Sequence, residues 1–144
     1  MKFTIPGEPT GKARPRVVSR GGFARAYTPE KTAAYENLIK LEFERQCQGQ
    51  RISAPSPITM TVHAYYGISK GDSKRRRAEK LSGDLLPTKK PDCDNVLKVI
   101  ADALNGLAYD DDAQIVFAVI RKLYGEEPRV EVEIETTEGG NDDE

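Results

Sequence analysis

The densest chemistry in this chain sits in two short acidic runs. One is PDCDN at residues 91–95, where Asp92 and Asp94 stand two residues apart; the other is YDDDAQ at 109–114, with Asp110, Asp111 and Asp112 in a row. Asp92 suits the N-cap of a helix starting there, and Asp94 in its first turn favours the helix dipole; together these stabilise by about 1–2 kcal/mol. The same spacing also suits a cation. The second run precedes an apolar strand and helps neither a strand nor a sheet core. Two carboxylates about 4 Å apart repel by around 4 kcal/mol at a surface-like dielectric, and a third adds to that. If the runs converge, a bound cation is the simplest compensation. Oxygen donors without histidine select a hard ion, Mg²⁺ or Mn²⁺ in its place. His63 is the sole histidine, which removes zinc triads and Ser/His/Asp relays. Lys98, four residues after Asp94 on the same helix face, is placed to pair with a carboxylate or to reach a phosphate.

The elements that must position these groups read as follows. DNVLKVIADALNG (94–106) is a helix with Val96, Leu97, Ile100 and Leu104 toward a core and Gly106 as its stop. QIVFAVIRKLY (114–124) is a strongly apolar strand, and RVEVEIE (129–135) a strand with its valines and isoleucine inward. Upstream, FTIPG (3–7) reads as a short strand. Residues 12–29 read as a hairpin with Gly21-Gly22 at its tip. Thr28 is the N-cap and Pro29 the first residue of a helix to about Gln48, with Tyr35, Leu38, Ile39 and Phe43 on one stripe. Residues 56–68 alternate as a half-buried strand with His63 on the polar face, and KGDSKRRRAEK (70–80) is a basic helix or loop. The fold class is α+β: two layers, a mixed and largely antiparallel sheet packed with helices. One domain spans 1–136, and residues 137–144 form an acidic tail expected to be disordered. A helix from 93 to 105 is roughly 20 Å long, so Asp112 starts near the wrong end for Asp92. Six extended residues, 107–112, just span the way back; otherwise the second run comes from a partner chain.

A near-neutral total hides a charge asymmetry. Residues 1–91 carry 18 Lys/Arg against 8 Asp/Glu, a balance of +10, and residues 92–144 carry 4 against 15, a balance of -11. The basic half is a footprint for a polyanion. Its clusters are Lys12, Arg14, Arg16 and Arg20; Lys74, Arg75, Arg76 and Arg77; and Lys89 with Lys90, all expected to grip that polyanion. No run is long and apolar enough for a membrane span, and Cys47 and Cys93 lack metal-like spacing, so a reducing cytoplasm is the expected setting.

PDCDNVLKVIADALNG followed by DDDAQIV resembles the RusA family of Holliday junction resolvases: Asp-x-Asp-Asn, a lysine four residues on, Asp-Ala-Leu in the helix, then Asp-Asp-Ala-Gln before a strand. GEPTGKARPRV…AYTPEKTAAYE resembles phage-type members, so most of the chain is covered. The combined motif is specific where any single piece is weak. The resemblance implies a RusA-like fold and a homodimer that cuts four-way DNA junctions by Mg²⁺-dependent paired phosphodiester hydrolysis. It thereby implies that the polyanion gripped by the basic clusters is DNA. It also implies metal ligands at Asp92, Asp94 and Asp112, Asp111 as a near neighbour of the site, and catalytic roles for Asp92, Asp94, Asp112 and Lys98. Pro91 departs from members with a basic residue before the first aspartate. The connection to the Asp-Asp pair is slightly shorter, which leaves a choice of register between Asp111 and Asp112; Asp112 is taken. A junction binder without cleavage, and a metal-dependent nuclease or phosphohydrolase on another branched or flapped substrate, are the competing readings.

Overall fold

The computed structural model describes residues 1–13, 16–21, 23–27 and 30–138, with strands 16–20 and 23–27 as backbone only. Arg14, Pro15, Gly22, Thr28, Pro29 and the end of the acidic tail from residue 139 lie outside the described residues. Thr137 is still tied in, its N–H donating to the Pro57 carbonyl at 2.8 Å.

The sheet is built around β4 (Ile58–Tyr66), whose strict alternation buries Ile58, Met60, Val62, Ala64 and Tyr66. β6 (Arg129–Thr136) runs antiparallel to it, pairing Met60 with Ile134 and Val62 with Val132, and β1 (Lys2–Pro6) runs antiparallel to β6. β5 (Ile115–Tyr124) closes the order β1-β6-β4-β5 and is parallel to β4. A parallel neighbour requires a crossover connection, and here α2 (Lys74–Ser82) and α3 (Cys93–Leu104) supply it. The sheet is therefore mixed, with two antiparallel pairings and one parallel. A separate hairpin, β2 (Arg16–Arg20) with β3 (Phe23–Tyr27), stands between β1 and α1 (Glu30–Gln46) in the chain.

α3 is the most amphipathic element: Val96, Val99, Ile100, Ala103 and Leu104 are buried against the sheet and α1. Each buried Val, Ile or Leu contributes roughly 1.5–3 kcal/mol. The stripe on α1 is spent in the same core, since Tyr35, Ile39 and Phe43 are buried and Leu38 packs against them. At the end of α1, the Gln46 amide accepts from Thr4 N–H at 2.9 Å and donates to Thr4 C=O at 2.8 Å. That side chain occupies the outer edge of β1, which blunts it against stray strand pairing. The opposite sheet edge is β5, where Val116 and Phe117 are 62% and 57% exposed. His63 lies on the half-buried sheet face with Thr59, Thr61 and Tyr65, and its ring meets that of Tyr65 edge-on. Among the described residues no helix is long and apolar enough to cross a membrane.

Candidate active site

The first acidic run opens α3. Asp92 is the N-cap with extended backbone (φ -73°, ψ 157°), and its carbonyl accepts Val96 N–H at 3.1 Å, yet its carboxylate makes no capping bond. Asp94 follows in the first turn, and both side chains are exposed. Among the described residues neither forms an ion pair. The surroundings hold this helix start firmly. Tyr66 Oη donates to the Pro91 carbonyl at 2.7 Å, and Lys12 N–H donates to the Asn95 carbonyl at 2.9 Å. Burial, with Cys93, Asp92 and Glu8 adding negative charge, pushes the Tyr66 hydroxyl up to about 12, so it stays protonated as a donor. Gly11 passes so close that a Cβ there would lie 2.9 Å from those of both Pro91 and Asn95. The result is a groove of about 630 Å³ beside Asp92, lined among others by Thr10, Lys31, Lys90 and Asn95.

The second run sits at the other end of α3 and is built differently. Gln114 is buried, and its Oε1 accepts the N–H groups of Asp110 and Asp111, each at 2.9 Å. Its Nε2 donates to the carbonyls of Ser56 and Ile52, at 3.0 and 3.3 Å. Asp111 caps the short 3-10 turn Asp112–Gln114 by accepting Ala113 N–H at 3.0 Å. Asp110 accepts Ala54 N–H at 2.9 Å and Arg51 Nε at 3.0 Å; these bonds hold its carboxyl below the ordinary value. Asp112 is fixed through its backbone, with its N–H donating to Asn105 Oδ1 at 3.0 Å, so its carboxylate is left for other work. Partial burial, the adjacent Asp111 and then Asp102 push that carboxyl up, opposed by Lys98. Lys98 itself is paired with Asp102 at 3.5 Å.

The structure therefore brings together Asp111, Asp112 and Lys98, and separately Asp92 and Asp94. It does not bring the two sets together within one chain. α3 has 12 residues, so its rise of 1.5 Å per residue sets the two acidic runs about 18 Å apart along the helix, with Lys98 between them. Among the described residues no three His, Cys, Asp or Glu side chains gather as a metal site. The donor type fits a hard cation; the donor number in one chain does not.

A family model for the endodeoxyribonuclease RusA matches residues 6–135. The chain belongs to the RusA family. It is accordingly an endodeoxyribonuclease. A Bacillus subtilis (strain 168) protein, named as the uncharacterized protein YqaN, is 37% identical over 134 residues, covering 93% of this chain and 94% of its own. The crossover junction endodeoxyribonuclease rusA of Lactococcus phage r1t is 26% identical over 135 residues, covering 93% of this chain and 95% of its own.

The basic residues of this RusA-family chain divide three ways. Lys74–Arg77 lie on the exposed α2, where Arg75, Arg76 and Arg77 approach Glu79, Asp72 and Glu126 at 3.9, 3.6 and 3.5 Å. The Arg75 and Arg77 pairs are exposed and worth about 0–1 kcal/mol each, so a phosphate can displace them, whereas Asp72, the partner of Arg76, is only 12% exposed and also holds Lys80. Lys89 and Lys90 are exposed immediately before Asp92, and Lys122 of β5 donates to the Lys89 carbonyl. Lys12 is different. It is enclosed, with its ammonium 3.2 Å from Glu36 and 3.3 Å from Asp102, so in this arrangement it does not stand free for a DNA phosphate. Burial draws its pKa down, but the two carboxylates outweigh this and hold it above its ordinary value. The backbone of Arg16 and Arg20 lies in β2; their side chains, and the whole of Arg14, lie outside the described part of the chain. Sequence reasoning gave no role to Asp102 and Gln114, although both stand in the family motif, and passed over Tyr66 and Lys122. Asp102 also had a local signal in its i,i+4 spacing from Lys98.

Proposed function

We propose that this endodeoxyribonuclease is a Mg²⁺-dependent homodimer that resolves four-way DNA junctions by paired phosphodiester hydrolysis. The observation that carries the reading is the unspent Asp92 carboxylate. A cap-position aspartate that makes no capping bond, two residues from a second exposed aspartate, is poorly explained by helix stability alone. The name of the phage relative, a crossover junction endodeoxyribonuclease, supports four-way DNA as substrate.

Asp92, Asp94 and Asp112, with Asp111 beside them, would hold the ion, carboxylate oxygens being the donors Mg²⁺ prefers. A bound Mg²⁺ would supply a more acidic water and Lewis-acid stabilisation at the phosphate. The separation of the two runs along α3 favours a site shared between two copies, with the opening of α3 from one chain facing the Asp111-Asp112 turn of the other. A two-fold dimer also gives two sites related as the two matched cuts of a junction require. Val116 and Phe117 on the β5 edge are the exposed apolar residues best suited to such an interface. Lys98 orients the phosphate or meets developing negative charge, while Lys31 and Lys90 line the groove that brings the strand to Asp92.

The test is a substrate panel. Linear duplex, flap and four-way DNA are each incubated with the protein in Mg²⁺, and light scattering reports its mass. The expected result is selective paired cutting of the four-way substrate by a species of about twice 16.0 kDa. Equal cutting of flaps would move the substrate assignment, and an active monomer would overturn the shared site.

A further inference from the structure

Asp102 stands where a carboxylate does the helix no good. It is the third-last residue of α3, where the dipole disfavours negative charge. Its pairing with Lys98 runs in the weaker order, lysine before acid. It is also only 24% exposed, and its Oδ2 meets both Lys12, at 3.3 Å, and Lys98, at 3.5 Å. Lys12 is gripped a second time by Glu36 of α1 at 3.2 Å. The four groups make a neutral set that links the chain just before the β2–β3 hairpin to α1 and α3. Asp112 lies within the field of both Asp102 and Lys98.

From this geometry we propose that Asp102 is a positioning residue for Lys98. It draws the Lys98 ammonium along α3 toward the Asp112 end, and Lys12 and Glu36 fix Asp102 in turn. The lysine side chain is 63% exposed and flexible, so without a fixed anion its ammonium would spread over many rotamers. The anchoring matters because a misplaced group near the reacting phosphate loses rate more than binding. The first lysine of the basic N-terminal segment thus serves the site as a tether.

The inference rests on Lys98 acting on the phosphate, as proposed above, and its test separates the two. Full-length wild type, Asp102→Asn, Asp102→Glu, Lys98→Ala and the double variant Lys98→Ala/Asp102→Asn are compared. Readouts are single-turnover cleavage of a four-way junction in Mg²⁺, metal-free junction affinity, Tm, and acylation of Lys98 by a soluble amine reagent, with exposed Lys40 as reference. Asp102→Asn should slow cleavage about 10- to 100-fold, with junction affinity within about threefold. Asp102→Glu should recover part of the rate, and the double variant should be no slower than Lys98→Ala, as expected of groups acting as a unit. Lys98 acylation should rise relative to Lys40. Wild-type cleavage by Asp102→Asn, or losses that multiply in full in the double variant, would overturn the positioning role. If wild type cuts no junction, the functional reading fails while the acylation arm still decides: unchanged Lys98 reactivity in Asp102→Asn rejects the inference. Should Asp102→Asn not fold, Lys12→Met/Glu36→Gln/Asp102→Asn, which leaves no enclosed charge of the set without a partner, is carried through the same measurements.

Discussion

The two ends of α3 carry the same residue types and use them in opposite ways. At its start, Asp92 and Asp94 are exposed, and among the described residues no ion pair holds either. At its far end nearly every carboxylate is committed: Asp102 to two lysines, Asp110 to Arg51 and Ala54, Asp111 to its own turn. Asp112 is the exception there: among the described residues its backbone N–H is fixed by Asn105, and its carboxylate meets only the like-charged Asp111 and, at longer range, Asp102 and Lys98. The difference teaches how to separate structural acids from working ones. An aspartate already bonded within the fold reports on stability when changed to asparagine; one left unbonded reports on chemistry.

The largest effect should come from breaking that contrast at the free carboxylates. Asp92→Asn and Asp94→Asn each remove a charged donor but keep a good helix start, since Asn caps about as well as Asp. Cleavage should fall beyond the ~10–100-fold that even an indirect disturbance of a metal site costs, with Tm nearly unchanged. Metal-free junction binding should persist or tighten, because a negative charge facing phosphate is gone. Asp112→Asn should behave likewise. Near-normal cleavage by the two α3 variants would return this pair to simple helix capping.

Much of the frame was legible because its signals are local. The spacing of Val96, Leu97, Ile100 and Leu104 marks α3, and alternation from Ile58 to Tyr66 marks β4. The pairing of β4 with β5 was not, since periodicity says which face of a strand is apolar and nothing about its neighbour. For the same reason the apolar stripe of α1 and the apolar run of β5 read alike; in the fold α1 spends its stripe on the core and β5 keeps Val116 and Phe117 outside. The acids were legible as a set, and their division along α3 followed from helix length alone. What stayed hidden were the long-range attachments: Lys12 to Asp102 across 90 positions, Gln114 to Ser56, Tyr66 to Pro91. A basic run reads identically whether its lysine faces solvent or an enclosed carboxylate.

That ambiguity gives the next, smaller effect. Neutralising Lys74, Arg75, Arg76 and Arg77 on exposed α2 should weaken junction binding and flatten the log–log salt slope by about 0.9 for each phosphate left without its cation. Lys12→Gln should leave the slope alone and instead lower Tm, because it strands Glu36 without its cation and leaves Asp102 with Lys98 alone. Binding titrations from low to high salt, beside thermal melts, distinguish them. A slope change from Lys12→Gln as large as that from α2 would place Lys12 on the DNA after all.

The smallest effect belongs to Asp110, a committed acid two residues from the free one. Its bonds to Ala54 N–H and Arg51 hold its folded pKa below the ordinary 3.8. A carboxyl whose folded pKa is depressed adds stability that is fully present above its unfolded pKa and is lost as pH falls through the folded value. Asp110→Asn should therefore lower Tm slightly at pH 7, and its difference from wild type should shrink as pH falls below the unfolded value toward the depressed folded one. Its cleavage should stay close to wild type, since its oxygens face Arg51 and Ala54. Melts from pH 7 down to pH 3, with junction cleavage at neutral pH, test both halves. A Tm gap that widens toward acid would contradict the sign, and cleavage lost with Tm intact would move Asp110 from the bonded acids to the working ones.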